Sequence, residues 1–181
     1  GNNRKQRPFH LLICLGGGTP VCHALNLMIV KGLAEIKNCN FTCTLLAGKI
    51  DEDSHHLTET MRDLNMQLEI KSHSPNMAME MLEADGAIVA GGSTMWELMF
   101  MGVPFMAISL NNDQKDYLEF LTAEDLCFNL GHYDDLTPKM IGQRGGEFIQ
   151  NQPLQKQFIR DYSHLFDRSN YGKKILDLFD S

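Results

Sequence analysis

The 181 residues, 43% hydrophobic and 22% charged, are ordinary for a soluble globular protein and give room for one domain with a sizeable core. A net charge of −7 excludes a general nucleic-acid binder, which needs a basic footprint, but leaves room for an anionic ligand held by backbone N–H groups. No apolar run approaches the ~20 residues of a spanning helix, so no membrane span is expected.

Residues 1–8 are polar and basic and read as a linker or tag remnant, and residues 9–181 as one domain. Phe9 to Leu15 is a continuous apolar run ending at three glycines, the mark of a strand buried on both faces. Val21 to Ile36 is helical, with Leu25, Met28, Ile29 and Leu33 on one face. Asn40 to Leu46 is a second strand, Glu52 to Leu64 a helix, and Leu68 to Lys71 a short third strand. Pro75 suits the first turn of a helix that continues from Met77 to Ala84. Gly86 to Ala90 is the fourth strand, followed by Gly91-Gly-Ser-Thr94 and a helix from Met95 to Met101 that Gly102 stops. Val103 to Ser109 is the fifth strand, Gln114 to Glu124 a helix, and Cys127 to Leu130 a weaker sixth strand. From Thr137 the pattern is helical, with breaks near Pro153 and Gly172. Strand and helix alternate about six times, which predicts an α/β fold: a doubly wound, Rossmann-like, mostly parallel six-stranded sheet with helices on both faces.

The five cysteines, Cys14, Cys22, Cys39, Cys43 and Cys127, are odd in number and irregularly spaced. They read as buried thiols of a cytoplasmic protein rather than disulfides or a zinc site, since Cys39-x-x-x-Cys43 lacks a second pair. The methionines from Met77 to Met81, with Met95, Met99, Met101 and Met106, read as core filling, and Trp96 as packed. No feature calls for a metal or cofactor.

In open parallel sheets ligands bind beyond the carboxyl ends of the strands. Small and polar residues gather there: Gly16-Gly-Gly-Thr19, Ala47-Gly-Lys49, Ser72-His-Ser-Pro75, Gly91-Gly-Ser-Thr94 and Asn111-Asn-Asp-Gln114. Gly16-Gly-Gly-Thr19 is neither a Walker A loop nor a G-x-G-x-x-G fingerprint; it is a tight turn or a phosphate-approach loop. Gly91-Gly-Ser-Thr94 joins a buried strand to a helix, so free N–H groups and the positive helix end suit a diphosphate. Thr94-x-x-Glu97 also fits a capping box, which leaves Glu97 either structural or free to accept ribose hydroxyls. His73 is a solvated loop histidine or a site residue. His55 and His56 read as exposed, and Asp51 to Asp53 as partners of a helix N-terminus.

The run Ala84-Asp-Gly-Ala-Ile-Val-Ala-Gly-Gly-Ser-Thr-Met-Trp-Glu-Leu-Met-Phe-Met-Gly-Val-Pro104 resembles the C-terminal domain of GT-B-type nucleotide-sugar enzymes. The likeness is strongest to the PseG-like UDP-sugar hydrolases of pseudaminic acid and spore-coat polysaccharide biosynthesis, and more distant to MurG-like peptidoglycan glycosyltransferases. Gly16-Gly-Gly-Thr-Pro20 is similar to the hydrolases' G-G-S-D-P loop, Asn111-Asn-Asp-Gln114 to their x-E-N-Q segment, and Asn170 to Ile175 to their C-terminal segment. The resemblance covers Phe9 to Phe179.

It implies that Gly91, Gly92, Ser93 and Thr94 meet the diphosphate of UDP or a UDP-sugar, approached from the first loop by Gly17, Gly18 and Thr19. Glu97 would bind the ribose hydroxyls, Asn112 and Gln114 would face the sugar or ribose, and the segment from His73 to Met77 would border the uracil. The sequence departs from the hydrolases at Gly18, Thr19, Asn112 and Asp113. The family's catalytic residues lie in an N-terminal domain that has no counterpart here. The expectation is the UDP-binding half of a UDP-sugar hydrolase, inactive without its partner domain. A glycosyltransferase donor half and a non-catalytic nucleotide-sugar-binding protein are the alternatives.

Overall fold

A computed structural model describes residues 7–16, 19–48, 59, 64 and 66–166. The expected helix from Glu52 to Leu64, the likeness at Asn170 to Ile175, and Gly17 and Gly18 lie outside the described residues, apart from 59 and 64.

Six strands form one sheet: β1 (Phe9–Cys14), β2 (Phe41–Leu46), β3 (Gln67–Lys71), β4 (Gly86–Ala90), β5 (Phe105–Ser109) and β6 (Phe128–His132). Their order is β3-β2-β1-β4-β5-β6, and every pairing is parallel. Six α-helices are described: α1 (Pro20–Ala34), α2 (Met77–Glu83), α3 (Thr94–Met101), α4 (Asn112–Ala123), α5 (Pro138–Gln150) and α6 (Gln152–Leu165), with a short 3-10 helix at Tyr133–Asp135. They cover both faces, so the central strands are apolar throughout: all of β4 and β5 is buried, as are Leu11, Leu12 and Ile13 of β1.

The helix starts follow side-chain chemistry. Thr19, Asn76, Asn111, Thr137 and Asn151 each accept a backbone N–H in the first turn of α1, α2, α4, α5 and α6. Asn76 is a better cap than proline can be, so α2 begins at Met77 and Pro75 sits ahead of it rather than in its first turn. Asn151 likewise divides α5 from α6 and leaves Pro153 in the first turn of α6, where its missing N–H costs nothing. Gly102 ends α3 in the left-handed conformation, φ 70°. The next strand starts at Phe105 rather than Val103, since Pro104 has no N–H for the ladder.

α1 and α5 approach until their backbones touch. A Cβ on Gly32 would lie 2.4 Å from the Pro138 carbonyl oxygen, and one on Gly142 would lie 2.5 Å from that of Gly32. On another seam α3 packs against α2 and α6. Met81, Met95, Met99 and Met106 are buried there and in the sheet as expected, whereas Met79 is exposed. Trp96 is half-buried with its ring 6.1 Å from that of Tyr117. Cys22, Cys43 and Cys127 are buried free thiols, and Cys14 and Cys39 are half-buried.

Candidate functional site

The strand order sets where a ligand can enter. From β1 the chain runs outward to β2 and β3, then returns to β4 and runs the other way to β5 and β6. The loops after β1 and β4 therefore part from each other and leave a crevice at their carboxyl ends, the topological switch point. The chain leaves β1 through Gly16, whose φ of +86° favours glycine.

The loop after β4 is held from below. The Gly91 N–H donates to the Ile108 carbonyl at 3.0 Å and the Gly92 N–H to that of Ala90 at 2.7 Å. The chain then turns directly into α3. Ser93 occupies the cap position with helical φ and ψ, and its hydroxyl makes no capping bond. The capping box expected of Thr94 and Glu97 therefore does not form: Thr94 is already inside the helix, one residue too late to serve as its cap. Among the described α-helices α3 alone has no side-chain cap. The Ser93 and Thr94 N–H groups meet no acceptor among the described residues. Two outward donors at the positive end of a helix are a ready site for an anion.

Glu97 lies in the first turn of the same helix, exposed, with no hydrogen-bond or ion-pair partner among the described residues. Its charge is felt at the end of β1. Burial pushes the Cys14 thiol up, a hydrogen bond from the Gly16 backbone opposes this, and the negative charge of Glu97 adds to the rise.

Gln114 lines the far side of the α3 N-terminus. Its Oε1 accepts the Leu110 N–H at 2.8 Å, and its Cβ would be 3.1 Å from a Cβ placed on Gly91. Its acceptor oxygen thus braces the loop after β5, while Asn111 caps α4 by accepting the Gln114 N–H at 2.9 Å. Asn112, the first residue of α4, is exposed. Thr19 is at the rim, but its hydroxyl accepts the Cys22 N–H at 3.3 Å and caps α1. His73 is exposed in the loop after β3, and Met77 is the half-buried first residue of α2.

Two features of this rim escape a reading of the sequence. Ser109 and His132, at the ends of β5 and β6, meet through Oγ and Nδ1 at 3.0 Å. The apolar run of the sixth strand stops at Leu130, which leaves His132 outside it. Lys71, Ser74 and Glu80 also join around the loop after β3, with no local pattern to signal it. Among the described residues no group of three His, Cys, Asp or Glu is placed to hold a metal ion.

Residues 12–157 match the model of the glycosyltransferase family 28 C-terminal domain. The chain belongs to this family. Solved structures share the fold of this family 28 domain. Acinetobacter baumannii MurG superposes with a TM-score of 0.78 at 19% identity, over 96% of this chain and 50% of that one. WaaG, a glycosyltransferase involved in lipopolysaccharide biosynthesis, gives 0.68 at 13% identity, over 96% of this chain and 47% of that one. Os79 from O. sativa, in complex with UDP, gives 0.68 at 15% identity, over 97% of this chain and 40% of that one. The family 28 domain thus spans between 40% and 50% of the length of these structures. None of the curated proteins compared with it matches. No described helix is long and apolar enough to cross a membrane.

Proposed function

We propose that this family 28 domain binds the UDP part of a nucleotide-sugar, as the donor half of a two-domain GT-B enzyme. The observation that carries the reading is the uncapped N-terminus of α3 at the switch point, with the unpaired Glu97 carboxylate in its first turn. The diphosphate oxygens would accept the Ser93 and Thr94 N–H groups, with Gly91 and Gly92 letting the ligand approach the backbone. Glu97 would accept the two ribose hydroxyls, and the loop from Ser72 to Met77 would border the base. Gly17, Gly18 and Thr19 would approach the diphosphate from the first loop. Asn112 and the amide nitrogen of Gln114 would face the sugar.

When the bond from sugar to diphosphate breaks, negative charge grows on the leaving oxygens. Fixed N–H donors and the α3 dipole stabilise that charge without reorganising. The attacking group, and any residue that removes its proton, would come from an N-terminal domain of the same enzyme. Family membership favours a sugar hydroxyl as nucleophile, hence glycosyl transfer. Hydrolysis by water, of the kind used in pseudaminic-type acid biosynthesis, is the second reading. It rests on the likeness of Gly16–Pro20 and Asn111–Gln114 to the hydrolase loops.

Thermal unfolding with and without nucleotide tests the reading. UDP at 100 times its dissociation constant should add about 2.7 kcal/mol of stability and raise Tm. No shift with UDP beside a clear shift with another nucleotide would contradict the uridine assignment.

A further inference from the structure

The loop between β3 and α2 is braced from beneath by a carboxylate. Glu80, in α2, is only 8% exposed. Its Oε1 and Oε2 accept the Lys71 ammonium at 2.9 and 3.1 Å, and Oε1 also accepts the Ser74 hydroxyl at 3.0 Å. Ser74 Oγ in turn accepts the Asn76 N–H at 3.2 Å, and Asn76 caps α2 through the Met79 N–H. Lys71 also reaches Glu69 at 3.5 Å, and its carbonyl accepts the Ala47 N–H at the end of β2. One buried carboxylate thereby ties the last residue of β3, the middle of the loop and the start of α2 into a single network.

Both elements have other anchors. Asn76 already caps α2, and β3 already pairs with β2 along its length. Burying a carboxylate carries a desolvation cost that offsets much of what its ion pair gains, and one use of such a group is to specify a conformation. What it specifies here is an exposed loop on the ligand rim. Within it the His73 and Ser74 N–H groups meet no acceptor among the described residues, so the loop presents free backbone donors. Backbone N–H and C=O groups fixed in this way can meet the hydrogen-bonding edge of a planar base.

We propose that Glu80 is a positioning residue: through Ser74 it holds residues 72–76 in the shape that recognises the nucleobase, which makes this loop the source of base selectivity. The inference rests on the nucleotide reading above and adds the device that sets which base is taken.

Titration calorimetry of the chain with UDP and with ADP tests it, using Ser74→Ala and Glu80→Gln. Ser74→Ala cuts the link between loop and carboxylate and leaves the Lys71–Glu80 pair intact. The wild type should bind UDP more tightly than ADP. Loss of one hydrogen bond from the brace should lower UDP affinity about fivefold in Ser74→Ala. ADP affinity should stay unchanged, and Glu80→Gln should act in the same direction. Wild-type UDP affinity in both variants would overturn the inference while leaving the nucleotide reading intact. So would equal losses for UDP and ADP, the mark of a merely structural role, or a wild type that binds the two alike. No UDP binding by the wild type would overturn the nucleotide reading and this inference together.

Discussion

Gln114 lies flat against Gly91: its Cβ, Cγ and Oε1 would stand 3.1, 3.3 and 3.3 Å from any Cβ added to that glycine. Gly92, one residue on, has open space at the same point, with nothing within 4 Å. The two glycines therefore do different work. Gly91→Ala must shift the Gln114 side chain by a few tenths of an ångström and strain its bond to the Leu110 N–H, at a cost of about 1 kcal/mol in urea unfolding. Gly92→Ala should leave stability within about 0.5 kcal/mol of the wild type. Its methyl group would still crowd a ligand that touches the backbone, so UDP affinity should fall without loss of fold.

Glu97→Gln separates the ligand role of that residue from a structural one. The side chain is exposed and has no partner among the described residues, so only its charge near the positive end of α3 is lost. That should cost less than about 1 kcal/mol of stability. If Glu97 accepts two ribose hydroxyls, UDP affinity should drop roughly tenfold or more, since hydrogen bonds to a charged acceptor are worth about 1.5–3 kcal/mol. Calorimetry reads both quantities on the same samples, and unchanged affinity would leave Glu97 no ligand role.

The Lys71–Glu80 pair should leave a mark on acid stability. The Lys71 hydrogen bond, opposed by burial and helped by Ser74, holds the Glu80 carboxyl below its usual 4.5. A carboxylate with a lowered folded value stabilises the protein above its unfolded value, and that contribution is lost as pH falls through the folded one. Glu80→Gln should thus be less stable than the wild type near neutral pH, and the gap should close well below pH 4.5. Urea unfolding at both ends of that range measures it. A gap that persists in acid would mean Glu80 acts through packing rather than charge.

The α1–α5 contact predicts a fold defect with no effect of its own on the rim. A methyl on Gly32 would fall 2.4 Å from the Pro138 carbonyl oxygen and 3.1 Å from the Gly142 nitrogen. These are backbone atoms, so the helices themselves must separate. Gly32→Ala should destabilise by about 1–3 kcal/mol in urea unfolding.

The β4–α3 segment was the most legible part of the chain. An apolar run from Gly86 to Ala90 with two glycines behind it can only be a buried strand and a close turn, and the strand has those bounds. The cap of α3 was not legible. Thr94-x-x-Glu97 reads as a capping box in isolation, yet the turn at Gly92 brings Ser93 into helical geometry and draws Thr94 inside. In the sequence Thr19 belongs to a tight turn or a phosphate-approach loop, and its role as the α1 cap stays hidden because it depends on where the helix begins. The sixth strand ran past its apolar run to His132, since a bulge opposite Ala107 and Ile108, eased by Gly131 at φ +120°, lets the ladder continue. The Lys71–Ser74–Glu80 brace joins side chains across a loop, and no local periodicity encodes it.

Amide resonances followed during a UDP titration test the central claim most directly. The largest shifts should fall on the Gly92, Ser93 and Thr94 N–H groups, at the start of α3. Saturable shifts confined to another face, such as the groove between α1 and α5 lined by Glu35, Lys37, Lys139 and Glu147, would contradict it.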